Sequence, residues 1–403
     1  LGDLNSFRKE IHAWLEANCP VSLRKPATQE EQVWGGRHIS FPNADAKLWF
    51  ECCVAKGYCV PDWPVEYGGA GLTPEQMQIF RQEMAQLKAR APQVNLGIWM
   101  AGPVILEFGT PEQKKEHLPK IARGEIRWCQ GYSEPGAGSD LAGLQTRAED
   151  KGDHFLVNGS KIWTSYADKS DYIYCLVRTD ASGDKRDGIT FLIFDMALPG
   201  IDTKPIELIT GERHFCQTFF DNVKVPKSAV LGEINKGWKV AKRVLEFERN
   251  MMSDLGSNAG TSMSARSAAE KYLGKHVSGE QKGKLKDAVL REAIARHEVY
   301  KKSFDVTQRR MVDEFTLGAG DMNIAMIFKY CGTEEEKRKT ELMLKIMGER
   351  SLGWHDPQHF SEGELSVPFD WMGAKTHTIA GGTTEIQLNI IAKRVLGLPG
   401  VLS

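Results

Sequence analysis

Between about residues 126 and 233 the chain changes period, and this change constrains its fold more than any other feature. On either side, apolar residues recur at helical spacing; inside, short runs rich in β-branched and aromatic residues alternate with turn formers. Ahead of the block, Phe7, Ile11, Trp14 and Leu15 hold one helical face. Asp62 to Gly69 interrupts the pattern. New helix starts follow at Thr73-Pro74-Glu75 and Thr110-Pro111-Glu112-Gln113, with Pro in the first turn. Inside the block, strands are expected over Thr146–Glu149, Phe155–Val157, Tyr172–Val177, Ile189–Phe194 and Phe215–Val225, with Asn158-Gly159 as a hairpin turn. Helices resume at Lys236. The doubly charged stretch 266–302 reads as an exposed helix or loop, and His355–Asp370, with Pro357, Gly363 and Pro368, as a loop. A last helix is expected after Gly381-Gly382, where Thr384 and Gln387 have capping-box spacing. Helices, strands and helices in separate blocks exclude an alternating α/β dinucleotide fold. They predict an α+β multidomain chain, with an N-terminal α-helical domain over 1–125, a middle all-β domain that suits a small β-barrel or sandwich over 126–233 and a C-terminal helical bundle over 234–403.

Composition removes several functions. A net charge of −1 over 403 residues, with no basic run interleaved with aromatics, predicts no nucleic-acid partner. No apolar run approaches a membrane span. The eight cysteines lack metal or redox spacing and several sit in apolar runs, so free thiols in a reducing, cytoplasmic compartment are expected. The start, Leu1-Gly2-Asp3, has no signal-peptide pattern and no Met, so a few residues are expected to precede it. The ten histidines are scattered without ligand spacing, and no metal is predicted.

Two local features carry chemistry. Tyr132-Ser133-Glu134-Pro135-Gly136-Ala137-Gly138-Ser139-Asp140 is a loop in which Gly136 and Gly138 allow close approach of a ligand. Lys161-Ile162-Trp163-Thr164-Ser165 places an indole beside two hydroxyls at a strand end. Further on, a helix from Gly237 to Leu255 turns Val240, Ala241, Val244, Leu245, Phe247, Met251, Met252 and Leu255 to one face, and Glu248 projects from the middle of that face. A carboxylate buried there would be costly or would hold its proton to higher pH. It either pairs with a buried arginine as a structural group or faces a cavity as a general base.

With these residues on the page, the chain resembles the acyl-CoA dehydrogenases. Tyr132 to Asp140 and Asn158 to Ser165 are similar to that family's flavin-binding signature, and Ile379-Ala380-Gly381-Gly382-Thr383-Thr384-Glu385-Ile386-Gln387 to its C-terminal motif. The resemblance implies a noncovalent FAD between barrel and bundle. It assigns Tyr132, Ser133, Gly138, Ser139, Trp163, Thr164, Ser165, Arg291, Thr383 and Glu385 to the cofactor, and Ser139 and Arg249 to the acyl-CoA. Trp163 would stack near the isoalloxazine, and Ser165 would hydrogen-bond near its reactive nitrogen. Many members carry the base as a Glu two residues before the C-terminal Thr, where this chain has Gly381. In the branch resembling isovaleryl- and long-chain enzymes the base lies on the first C-terminal helix, at the position of Glu248.

The implied reaction is FAD-dependent desaturation of an acyl-CoA thioester to the trans-2-enoyl-CoA, with electrons passed to an electron-transfer flavoprotein. A flavin monooxygenase, an acyl-CoA oxidase or a non-catalytic partner subunit are the alternatives on the same fold. Segments that homotetrameric members supply to a neighbour's FAD are missing; the nearest is Lys345-Ile346-Met347-Gly348-Glu349. The helix with Ala288-Val289-Leu290-Arg291 and the tail look more like subunits of steroid side-chain or pimeloyl-CoA dehydrogenases. An α2β2 heterotetramer is therefore expected, with a homo-oligomer as the alternative.

Overall fold

The computed structural model of the chain describes residues 2–28, 30–258, 263–274, 283–316 and 322–399, and for 249–258, 315–316 and 322–326 the backbone alone. The chain forms two compact units, Leu1–Glu207 with Arg213–Met251, and Leu208–Glu212 with Met252–Ser403.

The first unit begins with helices α1 (Gly2–Asn18), α2 (Ala44–Lys56), α3 (Pro74–Leu87), α4 (Gly102–Phe108) and α5 (Pro111–Ala122). Both expected proline starts are present. Thr73 and Thr110 each accept the N–H of the glutamine three residues on, whose carboxamide oxygen accepts the threonine's own N–H. Helices α1, α2 and α3 close over Ile11, Leu15, Trp49, Phe50 and Phe80. Beside that core the buried Glu83 of α3 is paired with Arg8 and His12 of α1.

Seven strands follow among the described residues: β1 (Trp128–Gly131), β2 (Arg147–Asp150), β3 (His154–Ser165), β4 (Tyr172–Arg178), β5 (Ile189–Asp195), β6 (Ile201–Ile206) and β7 (Phe215–Pro226). Their order is β1-β4-β2-β3-β7-β6, with β5 on β4. Strand alternation divides them between two cores. Cys129, Ile173, Cys175, Val177, Leu192 and Phe194 point one way; Trp128, Tyr174, Leu176, Phe191 and Ile193 point the other. Phe194 of β5 meets Phe220 of β7 edge-on at 5.8 Å, although these strands stand far apart in the order. The sheet therefore curls around its own core as a small barrel. Its outer face packs on Met100, Val104, Ile105, Leu118 and Ile121 of the helical domain, and on Val240, Ala241 and Val244 of helix α6 (Gly237–Asn258).

Three expectations change here. Strands β1 and β6 were not anticipated. β6 is an edge that pairs with β7, so it needs little apolar sequence and tolerates Pro205. Asn158-Gly159 is not a hairpin turn but lies inside the continuous β3, opposite a bulge in β7, where the chain runs from Val223 to Phe220 while β3 runs from Val157 to Gly159. Asn222 on β7 donates its N–H to Asn158 Oδ1 at 2.9 Å. Gly159 has φ +143°, and a Cβ there would lie 2.8 Å from Thr146 Cα.

The second unit contains α7 (Ala265–Tyr272), α8 (Ala288–Thr316), α9 (Met322–Met347), α10 (Glu362–His377) and α11 (Thr384–Ile390), with α9 touching each of the others. Ala265, Ala268, Ala269, Ile294, Leu342, Met343, Ile346 and Val367 form its core. The expected loop over His355–Asp370 ends early, because α10 begins at Glu362 and runs through Pro368. Glu364 accounts for this early start. Its carboxylate accepts the N–H and hydroxyl of Ser361 at 2.8 and 2.9 Å, the Tyr272 hydroxyl at 2.8 Å, and Arg350 Nε and Nη2 at 3.1 and 2.9 Å. The cap of α11 is Thr383, one residue before the expected one; its hydroxyl accepts from the Ile386 N–H, while Thr384 donates to Glu334. No helix among the described residues is long and apolar enough to cross a membrane.

Gly159→Ala should cost roughly 1–3 kcal/mol in urea unfolding, from left-handed strain plus overpacking on Thr146. Arg350 and the Ser361 N–H hold Glu364 far below the ordinary carboxylate range, against the opposing effect of burial. A depressed carboxylate gives its full stabilisation above the unfolded value and loses it as pH falls through the folded one. Glu364→Gln should lower the urea midpoint at pH 7 and flatten its decline below about pH 4.5, where an unfolded glutamate titrates.

Candidate active site

The two halves of the sequence motif are joined by a buried ion pair. Strand β1 ends at Gly131, and the chain turns at Glu134-Pro135-Gly136-Ala137, where Glu134 and Ala137 exchange two N–H···O bonds of 3.0 Å. Beneath this turn Lys161 is fully buried, and its ammonium donates to the Tyr132 carbonyl at 3.0 Å and to Glu134 Oε1 at 2.7 Å. The Glu134 carboxylate also accepts the N–H groups of Gln145 at 2.6 Å and Thr146 at 2.9 Å. Burial pushes Glu134 upward, but Lys161 and these donors outweigh it and hold the group ionised below the usual range. Arg178 fastens the far side, donating to the Ala142 carbonyl at 2.6 Å. The Ile162 N–H donates to the Ser133 carbonyl at 2.8 Å, a main-chain link between the halves.

Above these anchors the loop is open. A Cβ built on Gly136 or Gly138 meets nothing within 4 Å, so the chain's own packing does not require glycine at either place. Ser139 and Gly138 are exposed, Ser133 half-buried and Tyr132 buried. A bulge in β3 itself, between Lys161 and Thr164, turns Trp163 outward. Trp163 has φ +61° and is 51% exposed, with Phe215 edge-on at 5.9 Å. A bulky residue in the left-handed region is an outlier that the surrounding ladder must impose. Thr164 points the opposite way. Its hydroxyl bonds the Cys216 carbonyl and the Thr218 hydroxyl, both at 2.8 Å inside the barrel, so only its main chain is available to a ligand. Ser165 closes β3 opposite Phe215 and is half-buried.

Helix α6 faces this assembly as the periodicity requires: Val240, Ala241 and Val244 are buried, whereas Lys239, Lys242 and Glu246 are exposed. Glu248 is half-buried. Its charge reaches two phenols beneath the helix. Tyr132 is raised well above its ordinary value by burial and then by Glu248; Tyr174 by burial, then Tyr132 and Glu248. The Tyr132 hydroxyl lies 3.5 Å from the Ala241 carbonyl, and the Tyr174 hydroxyl donates to Met100 Sδ at 3.0 Å. The side chain of Arg249, expected to bind substrate, lies outside the described residues, as do those of Met251, Met252 and Leu255.

The remaining expected residues belong to the second unit. Gly381 and Gly382 both have positive φ, and Lys329 donates to the Gly382 and His377 carbonyls at 2.8 and 2.9 Å. This fixes the entry to α11, where Thr383 is the cap and Glu385 is exposed, its carboxylate lowered by its own helix N–H and by Thr383. Arg291 on α8 donates to the Leu285 carbonyl at 2.8 Å.

Sequence reading missed Lys161, Glu134, Tyr174 and Lys329. Lys161 had a signal: it keeps the parity of the inward-facing Phe155 and Val157, and splitting β3 at Asn158-Gly159 concealed it.

The comparisons with known proteins agree with this geometry. The N-terminal, middle and C-terminal domain models of acyl-CoA dehydrogenase match residues 5–125, 129–223 and 235–396. The chain is 31% identical over 397 residues to acyl-CoA dehydrogenase IpdE1 of Mycobacterium tuberculosis (strain ATCC 25618 / H37Rv), covering 98% of each. To acyl-CoA dehydrogenase FadE34 of the same organism it is 36% identical over 344 residues, which are 85% of this chain and 45% of that one. The chain thus spans under half of FadE34's length. A solved structure described as Tcur3481–Tcur3483 steroid ACAD superposes with a TM-score of 0.71 at 27% identity, covering 100% of this chain and 99% of that one. The chain belongs to the acyl-CoA dehydrogenase family.

Proposed function

We propose that the protein binds FAD, removes the α-proton and β-hydrogen of an acyl-CoA thioester, and passes the electrons to an electron-transfer flavoprotein. The observation that carries this reading is the placement of Tyr132, which is at once the first residue of the glycine loop and packed under α6, its hydroxyl 3.5 Å from the Ala241 carbonyl. One buried side chain thus links the flavin loop to the helix that carries Glu248.

The residues fit a flavin. Gly136 and Gly138 leave open space where any other residue would project a Cβ, and the exposed indole of Trp163 offers an aromatic face. Ser133, Ser139 and Ser165, with the main chain of Gly138 and Thr164, would hold it from the barrel; the family resemblance also assigns Arg291, Thr383 and Glu385 to it. A bound FAD would supply the acceptor for the β-hydrogen, which leaves as hydride with its electron pair. Glu248 takes the α-proton onto its carboxylate, a transfer that the apolar face of α6 favours by keeping water away. A monooxygenase of this fold has no use for such a base. Ser139 and Arg249 are assigned to the acyl-CoA.

Gly381 stands where many family members place a glutamate, and leaves volume there. This favours a bulky or branched acyl group, and the similarity to a steroid ACAD points to the steroid side-chain class. The missing neighbour-facing segments, and the paired name Tcur3481–Tcur3483 of the similar structure, favour an α2β2 assembly with an unlike subunit.

Anaerobic titration with a panel of acyl-CoAs should bleach the flavin with at least one bulky member. Glu248→Gln should retain FAD but slow bleaching on the order of 10²–10⁴-fold, the range of a lost general base. Reduction of that variant at the parent rate would remove Glu248 from the mechanism. A parent that binds FAD yet is bleached by no acyl-CoA would instead indicate a non-catalytic subunit.

A further inference from the structure

We infer that Glu134 and Lys161 are positioning residues that preform the flavin loop, so that FAD docks on an ordered cradle rather than folding the loop around itself. The inference rests on the flavin reading above. Residues 132–146 leave the barrel and return, and such a segment would ordinarily exchange among conformations. Here the single carboxylate of Glu134 takes three bonds at once, one from Lys161 and one each from the Gln145 and Thr146 N–H groups at the far end of the loop, while the residue's main-chain carbonyl accepts the Ala137 N–H across the turn. Lys161 adds the Tyr132 carbonyl at the near end. Both ends of the loop are thus tied to one buried point, and Arg178 ties the stretch between through the Ala142 carbonyl.

The same lysine is two residues from Trp163, on the segment where β3 bulges. Lys161 therefore fixes the register of the strand that presents the indole as well as the loop that presents the glycines. A wholly structural pair would stabilise the fold without regard to the ligand. A positioning pair selectively changes the order of the loop and the affinity for FAD.

Hydrogen–deuterium exchange of the full chain, with and without FAD, separates the two. In the FAD-free parent, peptides from 133–146 should exchange about as slowly as β4, within roughly tenfold. Glu134→Gln should accelerate that loop by roughly tenfold or more while β4 and β5 keep their rates, and should raise the FAD Kd by roughly tenfold or more. Because losing both charges avoids an unpaired buried one, Lys161→Met combined with Glu134→Gln should unfold at higher urea than Lys161→Met alone, yet still bind FAD weakly. A loop that exchanges freely in the FAD-free parent and slows only when FAD is added overturns the inference, and this arm needs no variant to fold. A Glu134→Gln protein with FAD Kd within about threefold of the parent also overturns it. A parent that takes up no FAD contradicts the flavin reading itself, while loop exchange still decides whether the pair preforms the segment.

Discussion

A lysine ammonium and a glutamate carboxylate, 2.7 Å apart and shut away from water, are the contact on which the site depends. Desolvating both charges costs several kcal/mol each, and their attraction repays this only when the remaining donors and acceptors are satisfied. The Tyr132 carbonyl and the Gln145 and Thr146 N–H groups satisfy them, and all three belong to the loop. Geometry that makes the pair tolerable is therefore the same geometry that closes the loop. Removing either partner would leave a buried charge behind, with a penalty of about 3–5 kcal/mol.

The barrel supplies the rigid frame for that pair. Alternation along β1, β4 and β5 sends one set of side chains inward and the other toward the helical domain, so a single sheet serves two cores. Tyr132 and Tyr174 belong to the outward set. Their phenols lie under α6, and the charge of Glu248 raises both beyond the effect of burial. A carboxylate on an apolar helix face, which sequence alone left open between a structural and a catalytic role, thus has phenols and a flavin-type loop as its surroundings.

Much of this was legible in the sequence, and the reasons are physical. Block segregation of helical and strand periods announced three domains, because period follows directly from which face is buried. Proline starts at Thr73 and Thr110 were legible because capping boxes are local. Asn158-Gly159 misled because a glycine with positive φ also serves a continuous strand facing a bulge, and only the partner strand, β7, decides between that and a hairpin. Helix α10 was hidden by Pro368 and Gly363, although Ser361 and Glu364 have the local spacing of a capping box; Arg350 and Tyr272, which also hold Glu364, lie outside any local window. At the site, the motif showed which residues are unusual but not what held them. Thr164 shares its motif with Trp163 yet faces the barrel interior, a separation that depends on the bulge between Lys161 and Thr164.

In the proposed reaction Glu248 removes a proton from the carbon next to the thioester. Proton NMR of an acyl-CoA incubated with the FAD-bound protein in D2O, without an electron acceptor and with flavin kept limiting, tests it directly. The α-C–H signal of unconverted acyl-CoA should be lost to deuterium with the parent and persist with Glu248→Gln. Equal loss of the signal with both proteins would contradict it.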